Sequence, residues 1–482
     1  MPGITIIGLG PGDPGQLTRE AWQALAGASE VWLRTARHPT VAGLPASVTL
    51  HNFDDIYEST ERFEQVYERI AERVLDLGAR DEGVVYAVPG HPNVAEASVA
   101  HICALAAQRG LPVRLIAGLS FIEPALAALG VDALPQLQIA DALELAARHH
   151  PPFHPDAPAL VAQLYSPQLA SDVKLTLMNQ YPDEHPVKLV HAAGTAEQRV
   201  EAVPLYEVDR SSHIAHLTAL YVPPLARQSA FESFQDIIAH LRAPEGCPWD
   251  RKQTHQSLRQ YLLEETYEVL HTLDADDAGA LREELGDLLL QIVLHAQIAT
   301  EAGEFTMADL LAGINEKMIR RHPHVFGEVT VSGAAEVVHN WEQIKAEEKK
   351  DKPQNGSLLG ETPRDLPALM QAETFQKRAA RVGFDWPDVS GVKAKIAEEI
   401  EEIESAEGDA IRREVGDLLF AVVNWARWLQ VEPETALREA NARFAARFAK
   451  VEAAAQAQGR PMTAMTIDEL DVLWQQAKAD SR

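Results

Sequence analysis

The sequence predicts a multidomain protein in which an N-terminal α/β domain precedes two related all-α units. Three observations point there. Short apolar runs alternate with amphipathic stretches up to about residue 225, strand signals nearly vanish from Phe231 onward, and one acidic cassette occurs twice in the back half.

In the front half, ITIIGLG, GVVYAVPG, PVRLIAGLS, VKLTLMNQY and VKLVHAAG have the length and apolar content of buried strands. Helical periodicity separates them, as over Leu17–Ala28 and Phe63–Leu77. The proline-rich YVPPLARQS then reads as a boundary, closing the first domain at residues 1–225. Behind it, long patterns rich in Ala, Leu and Glu predict helices. They divide at KKDKPQNGSLLGETPRDLP, residues 349–367, a linker too rich in Pro, Gly and Lys for a helix interior. Helical units at 231–348 and 368–482 flank it, and their mutual likeness is the strongest architectural signal in the chain.

At 482 residues the chain has room for several cores, and its 46% hydrophobic and 24% charged residues are ordinary for a soluble globular protein. A formal net charge of −28 argues against an extended nucleic-acid surface, which needs a basic face. A polyphosphate ligand stays open, provided metal ions and a few local cations offset the field. Cys103 and Cys247 stand far apart without His at ligand spacing, which argues against a disulfide framework or structural zinc and for a reducing cytoplasm. MPGITIIGLG lacks the features of a signal peptide, and no apolar run reaches the length of a membrane span.

The acidic cassette sets the chemistry. LLEETYEVL carries Glu264, Glu265 and Glu268, and REELGDLLLQIV adds Glu284 and Asp287. In the second unit IAEEIEEIE carries Glu398, Glu399 and Glu402, and RREVGDLLFAVV adds Glu414 and Asp417. On a helix Glu398 and Glu402 share a face with Glu399 at its edge, while Glu414 and Asp417 share a face of the next helix. If the two helices pack antiparallel, five carboxylates converge on one cleft. Such a cleft is self-repelling unless neutralised, and hard oxygen ligands suit magnesium or manganese. A solvated helix face is the competing reading. It is weakest for Asp287 and Asp417, which adjoin the runs LLLQIVL and LLFAVV that should be largely buried, and the duplication weakens it further.

A basic element is duplicated too. GINEKMIRRH and EANARFAARF align Asn315 with Asn441, Lys317 with Arg443, and Arg321 with Arg447, so each copy places two cations four residues apart on one helical face. Metal-holding acids beside a phosphate-gripping basic pair make a site for a nucleoside triphosphate, with helix-surface salt bridges as the alternative for the basic pair alone.

Taken with GCPWD (246–250), RRHPHVF (320–326) and VGFDW (382–386), the EExxE and ExxD motifs of residues 231–482 resemble the MazG family of nucleoside triphosphate pyrophosphohydrolases. The resemblance implies dimeric all-α bundles that use Mg²⁺ (or Mn²⁺) to cleave between the α and β phosphates, releasing a nucleoside monophosphate and pyrophosphate. It further implies that Glu398, Glu399, Glu402, Glu414 and Asp417 bind metal and that a carboxylate such as Glu399 helps deprotonate the attacking water. Lys377, Arg443, Arg447 and Trp474 would contact nucleotide, Trp474 by stacking on a base. The first copy keeps all five acids together with Lys317 and Arg321. One departure concerns the phosphate grip: Ala410, four residues before Glu414, stands where the family leads one to expect a lysine.

At the amino terminus ITIIGLGPGDPGQLT sets Gly8, Gly10 and Gly12 between a strand and a helix, where backbone can approach a ligand. A dinucleotide site would want an acid after the second strand, yet the chain there reads VWLRTA, and Pro11 breaks the usual spacing. VVYAVPGHP and VRLIAGLS end two further strands in glycine turns. Together the three loops, with LYEVDR and LTALYVPP, resemble the tetrapyrrole methylase family, in the version where this domain is fused to MazG units. That resemblance implies two α/β subdomains with S-adenosylmethionine between them, near Gly10, Pro11, Gly12, Asp13, Gly90, His91, Pro92, Gly118 and Ser120. Where many biosynthetic members carry Asp, this chain has His91, which leaves the methyl acceptor open. Asp13 orients a ligand or merely caps the next helix.

The expected protein is thus a cytoplasmic nucleoside triphosphate pyrophosphohydrolase fused to a methyltransferase-like domain, a homodimer with no membrane partner. The alternative makes methyl transfer the main activity and the helical half a metal-stabilised oligomerisation module.

Overall fold

The computed structural model describes residues 2–59, 63–350, 359, 362 and 365–479, and the chain divides into two compact units, Met1–Lys252 and Gln253–Arg482. Most of the linker expected at 349–367 lies outside the described residues.

The first unit contains two five-stranded sheets. One is entirely parallel and is built from β1 (Ile4–Gly8), β2 (Glu30–Leu33), β3 (Thr49–Asn52), β4 (Val84–Val88) and β5 (Val113–Ile116), in the order β3-β2-β4-β1-β5. Alternation along the strands explains why these runs read as continuously apolar. Ile4, Ile6, Val84, Tyr86 and Val88 pack on one face with Ile70 and Val74, and Ile7, Val31, Leu33, Ala87 and Ile116 pack on the other with Ala21 and Leu25.

The other sheet is mixed. Its strands are β6 (Gln138–Asp141), β7 (Ala159–Ala162), β8 (Pro186–His191), β9 (Arg199–Pro204) and β10 (Thr218–Val222), ordered β6-β7-β10-β8-β9, with only β6 and β7 running parallel. Here Val161, Leu189 and Leu220 face one core, while Leu160, Val190 and Tyr221 face another. The two sheets are the two α/β subdomains expected of the first domain.

One expected strand is a helix. VKLTLMNQY lies largely within the helix Pro167–Leu177, which Ser166 caps by accepting from Leu169 N at 3.2 Å and which Pro167 opens. Its buried residues Leu169, Ala170, Val173, Thr176 and Leu177 follow the helical period, a signal hidden when the β-branched segment is read without the turn before it.

The helix Phe231–Arg242 is counted with this first unit. Asp156 secures the chain entering it, accepting from Ser229 N at 2.8 Å, from Ala230 N at 3.1 Å and from the Ser233 hydroxyl.

The second unit is all helical. In the first copy Arg259–Ala275 and Ala278–Ala302 form a hairpin: Asp276 turns left-handed (φ 54°), and Asp277 caps the second helix by accepting from Gly279 N and Ala280 N. Met307–Arg321, opened by a Thr306/Asp309 capping box, and Ala334–Lys350 follow. The second copy repeats the plan with Ala368–Arg381, Val389–Ser405, Asp409–Trp428, Pro433–Ala457 and Ile467–Ala479. Ion pairs Arg438–Asp274 (2.8 Å) and Arg381–Glu342 (2.7 Å) join the copies. Among the described residues, no helix is long and apolar enough to cross a membrane.

Candidate functional site

In each copy the EExxE helix packs against the ExxD helix, and this brings the acids together. In the second copy Glu399, Glu414 and Asp417 present carboxylate oxygens that all lie within 4.8 Å of one another. Glu399 is 3% exposed, and its Oε2 is buried with no hydrogen-bond partner. A buried glutamate with one unpaired carboxylate oxygen, clustered with two other acids, asks for a cation. Glu402 stands at the exposed edge of this group, its pKa raised by partial desolvation and by Glu399. Glu398 is not in the three-oxygen cluster; it turns to Lys395 instead.

The first copy builds a related cluster from Glu265, Glu268 and Glu284, again within 4.8 Å, with Glu268, the counterpart of Glu402, in place of the counterpart of Asp417. Desolvation, then Asp287 and Glu268, raise the pKa of Glu265, and desolvation, then Glu268 and Asp287, raise that of Glu284. Glu264 is exposed beside them.

Lys395 was not singled out from the sequence, yet its Nζ lies 2.7 Å from Glu399 Oε1 and 2.8 Å from Glu398 Oε1. The hydrogen bonds it donates to Glu398 and Glu399 raise its pKa. The signal was present: Lys395 precedes the two glutamates by three and four residues, the helical spacings at which opposite charges meet.

The expected nucleotide contacts sit on the later helices. Lys377 pairs with Glu373 at 2.8 Å, and Arg443 with Glu439 at 3.3 Å. Among the described residues Arg447 and Lys317 have no ion-pair partner, whereas Arg321 is paired to Glu348. Trp474 packs on Phe444, ring centroids 5.1 Å apart.

The runs flanking the acids are more open than their composition suggests. Leu285, Leu289 and Ile292 in the first copy, and Val415, Leu419 and Val422 in the second, are all exposed. They occupy matching positions relative to Glu284 and Glu414, so the same apolar stripe runs along both ExxD helices.

In the first unit the three glycine loops meet. Gly10 N donates to Gly90 O at 3.2 Å and Gly90 N to Gly10 O at 2.8 Å. A Cβ added at Gly8 would fall 2.5 Å from Gly90 O, and one at Gly118 would fall 2.4 Å from the same oxygen. Only glycine allows the loops to close so tightly. Gly12, after Pro11, takes φ 147°. Several polar residues here are committed locally. Asp13 accepts from Gly15 N at 2.7 Å, His91 Nδ1 from Asn93 N at 3.0 Å, and Ser120 donates through N and Oγ to Glu123 Oε2 at 2.9 and 2.6 Å; Pro92 follows His91 in the same turn. Gly90 has φ 66°, with open space on its Cβ side.

Beyond the carboxyl ends of β2 and β4 lies a polar cluster that was not assigned from the sequence. Arg34 Nη1 donates to Glu96 Oε2 at 2.7 Å, Ser98 Oγ to Glu96 Oε1 at 2.7 Å, and Tyr86 Oη meets Ser98 Oγ at 2.9 Å. Burial is the largest single influence on Arg34 and opposes its charge, but Glu96 together with Tyr57, Tyr86 and Tyr67 outweighs it and raises the pKa. Burial, with Arg34 nearby, pushes His38 down to about 4. The hint lay in VWLRTA, where a dinucleotide fold wants an acid and this chain has Arg34.

Comparison with known proteins finds relatives of both halves of the chain. A model of the Tetrapyrrole (Corrin/Porphyrin) Methylases matches residues 3–209, and one of the MazG nucleotide pyrophosphohydrolase domain matches residues 253–326. The uncharacterized protein YabN of Bacillus subtilis (strain 168) is 43% identical over 494 residues, covering 99% of each chain. The nucleoside triphosphate pyrophosphohydrolase/pyrophosphatase MazG of Thermotoga maritima is 47% identical over 249 residues, 52% of this chain and 95% of its own. The nucleoside triphosphate pyrophosphohydrolase of Escherichia coli (strain K12) is likewise 47% identical over 249 residues, 50% of this chain and 94% of its own. The chain belongs to the family of YabN-type fusions, which join a tetrapyrrole methylase domain to MazG pyrophosphohydrolase units.

Proposed function

We propose that the helical unit is a Mg²⁺-dependent nucleoside triphosphate pyrophosphohydrolase that converts NTP and water to NMP and pyrophosphate, removing unwanted nucleotides from the cytoplasmic pool. The observation that carries this reading is the carboxylate cluster present in each copy, in the second of which Glu399 is buried with its Oε2 unpartnered. Glu399, Glu414 and Asp417 fit a hard divalent ion, as do Glu265, Glu268 and Glu284 in the first copy, with Asp287 available from the same helix as Glu284. When bound, such an ion would polarise phosphoryl oxygens and make a water nucleophilic near neutral pH.

The chain's own groups supply the rest. Glu402, at the solvent edge, is better placed than the buried, Lys395-paired Glu399 expected from the sequence, and takes the proton of the attacking water as the bond between the α phosphorus and its bridging oxygen breaks. Arg443, Arg447 and Lys377 neutralise the phosphates, and Trp474 receives the base. Lys395 holds Glu398 and Glu399 in place and is freed when another cation takes the carboxylates. A second copy of the chain covers the two matching apolar stripes, making the protein a homodimer.

For the first unit we propose S-adenosylmethionine as the ligand of the joined glycine loops, where Gly10, Gly12, Gly90 and Gly118 bring backbone close enough to cradle it. The acceptor of its methyl group is not assigned.

The test is a panel of NTPs and dNTPs with Mg²⁺. NMP and pyrophosphate are the expected products; NDP with orthophosphate would refute the assigned bond, and an unchanged rate for Glu399→Gln and Glu265→Gln together would refute the assigned site.

A further inference from the structure

The two copies treat their phosphate-gripping cations differently. In the first, Arg320 and Arg321 both donate to one carboxylate. Arg320 Nε and Nη2 reach Glu348 Oε1 at 2.9 and 2.7 Å, and Arg321 Nε and Nη2 reach Glu348 Oε2 at 3.2 and 2.5 Å. The bonds from the two arginines hold the Glu348 carboxyl down to about 2, Arg321 contributing most. The same helix supplies Trp341, whose ring lies 5.2 Å from the Arg321 guanidinium carbon and 4.7 Å from Lys345 Nζ. Arg321 is left with a side chain only 11% exposed.

In the second copy the corresponding residues are Arg447 and Trp474. Ala446 stands in the place of Arg320, and seven residues after Trp474, where Glu348 follows Trp341, the chain reads Ser481. Arg447 has no ion-pair partner among the described residues, and the Trp474 ring lies against Phe444.

A carboxylate forked onto guanidinium groups uses the geometry by which those groups also take a phosphate. A nucleotide entering the first copy must therefore displace an anion already seated there. Two arginines against one carboxylate leave a net positive charge, so displacement is possible but unfavourable. We propose that Glu348 is an internal occupant of the first copy's phosphate grip, and that this cleft takes nucleotide only when Glu348 is displaced. This rests on the nucleotide reading above and adds to it what decides which cleft is filled.

The experiment is calorimetric titration of the full chain, in Mg²⁺, with the α,β-methylene analogue of the nucleotide hydrolysed fastest in the panel. The wild-type chain should bind one equivalent per chain. Glu348→Gln should bind two, the new site at least tenfold tighter than any second binding seen in wild type and lost again on adding Glu265→Gln. Arg320→Ala installs the residue of the second copy, removes half the clamp and keeps Arg321; it should also reveal the second site and serves if Glu348→Gln does not fold. Two equal sites in wild type, or one site in both folded variants, overturns the proposal. No binding in any form would instead sink the nucleotide reading itself.

Discussion

Replacing Glu399 by glutamine should make the helical unit no less stable in chelator and markedly less stable in magnesium. In the metal-free protein the Glu399, Glu414 and Asp417 oxygens lie within 4.8 Å of one another. Two unit charges at such a distance repel by roughly 1 kcal/mol in water and roughly 3 kcal/mol at an effective dielectric of about 20. Glu399→Gln removes two of these three repulsions and gives up the half-exposed ion pair with Lys395, of a kind that contributes about 0.3–0.5 kcal/mol. The balance in chelator is therefore neutral or slightly stabilising. With magnesium at roughly 100 times its dissociation constant, the wild type gains about 2.7 kcal/mol that the variant does not. For a unit of the size of Gln253–Arg482, each kcal/mol moves Tm by about 2–4 °C, so the expected separation is about 5–11 °C. Scanning calorimetry of both proteins, with EDTA and then with Mg²⁺, gives the four values. Equal magnesium shifts in the two proteins would refute metal capture at this cluster. A large loss of stability in EDTA alone would show that the carboxylates act as structural partners instead.

The first unit offers three further tests. His38 is depressed from 6.5 to about 4 by burial, so below pH 6.5 the unfolded chain binds the extra proton and the native state does not. Stability is complete above that pH and falls by roughly 3 kcal/mol as pH drops towards 4, a decline that urea unfolding should find flattened in His38→Gln. Glu96→Ala strands the buried Arg34 charge and should cost about 3–5 kcal/mol in the same assay, and a change under about 1 kcal/mol would contradict the pairing. Gly118→Ala forces a Cβ against Gly90 O, and overpacking of about 1–3 kcal/mol should weaken S-adenosylmethionine binding about tenfold or more by titration; unchanged affinity would separate the loops from the ligand.

Much of this molecule was legible before its coordinates. Strands buried on both faces announce themselves as apolar runs, so β1 and β4 could be read directly, β5 and β8 could be found although Arg114 and Lys188 interrupt them, and the EExxE and ExxD spacing indicated which helix faces would meet. What escaped has a common cause. The helix Pro167–Leu177 reads as a strand because VKLTL alternates apolar and polar residues and carries β-branched Val173 and Thr176, while its Ser166 cap and Pro167 lie outside that run. The runs LLLQIVL and LLFAVV are half exposed in a single chain because apolar content does not say whether a neighbouring helix or another molecule covers a face. Lys395, Arg34 and Glu348 act through partners brought near by folding, and of these only Lys395 has partners close enough in sequence to be found by spacing.

The place of β10 between β7 and β8 carries a consequence for synthesis and for dissection of the protein. The middle strand of that sheet is the last to leave the ribosome, so the nascent chain holds two facing, unsatisfied ladders until Val222 has emerged. A fragment cut at residue 209, where the methylase match ends, would keep those bare edges permanently and invite aggregation. Isolating the front domain in soluble form requires the polypeptide to continue past Val222.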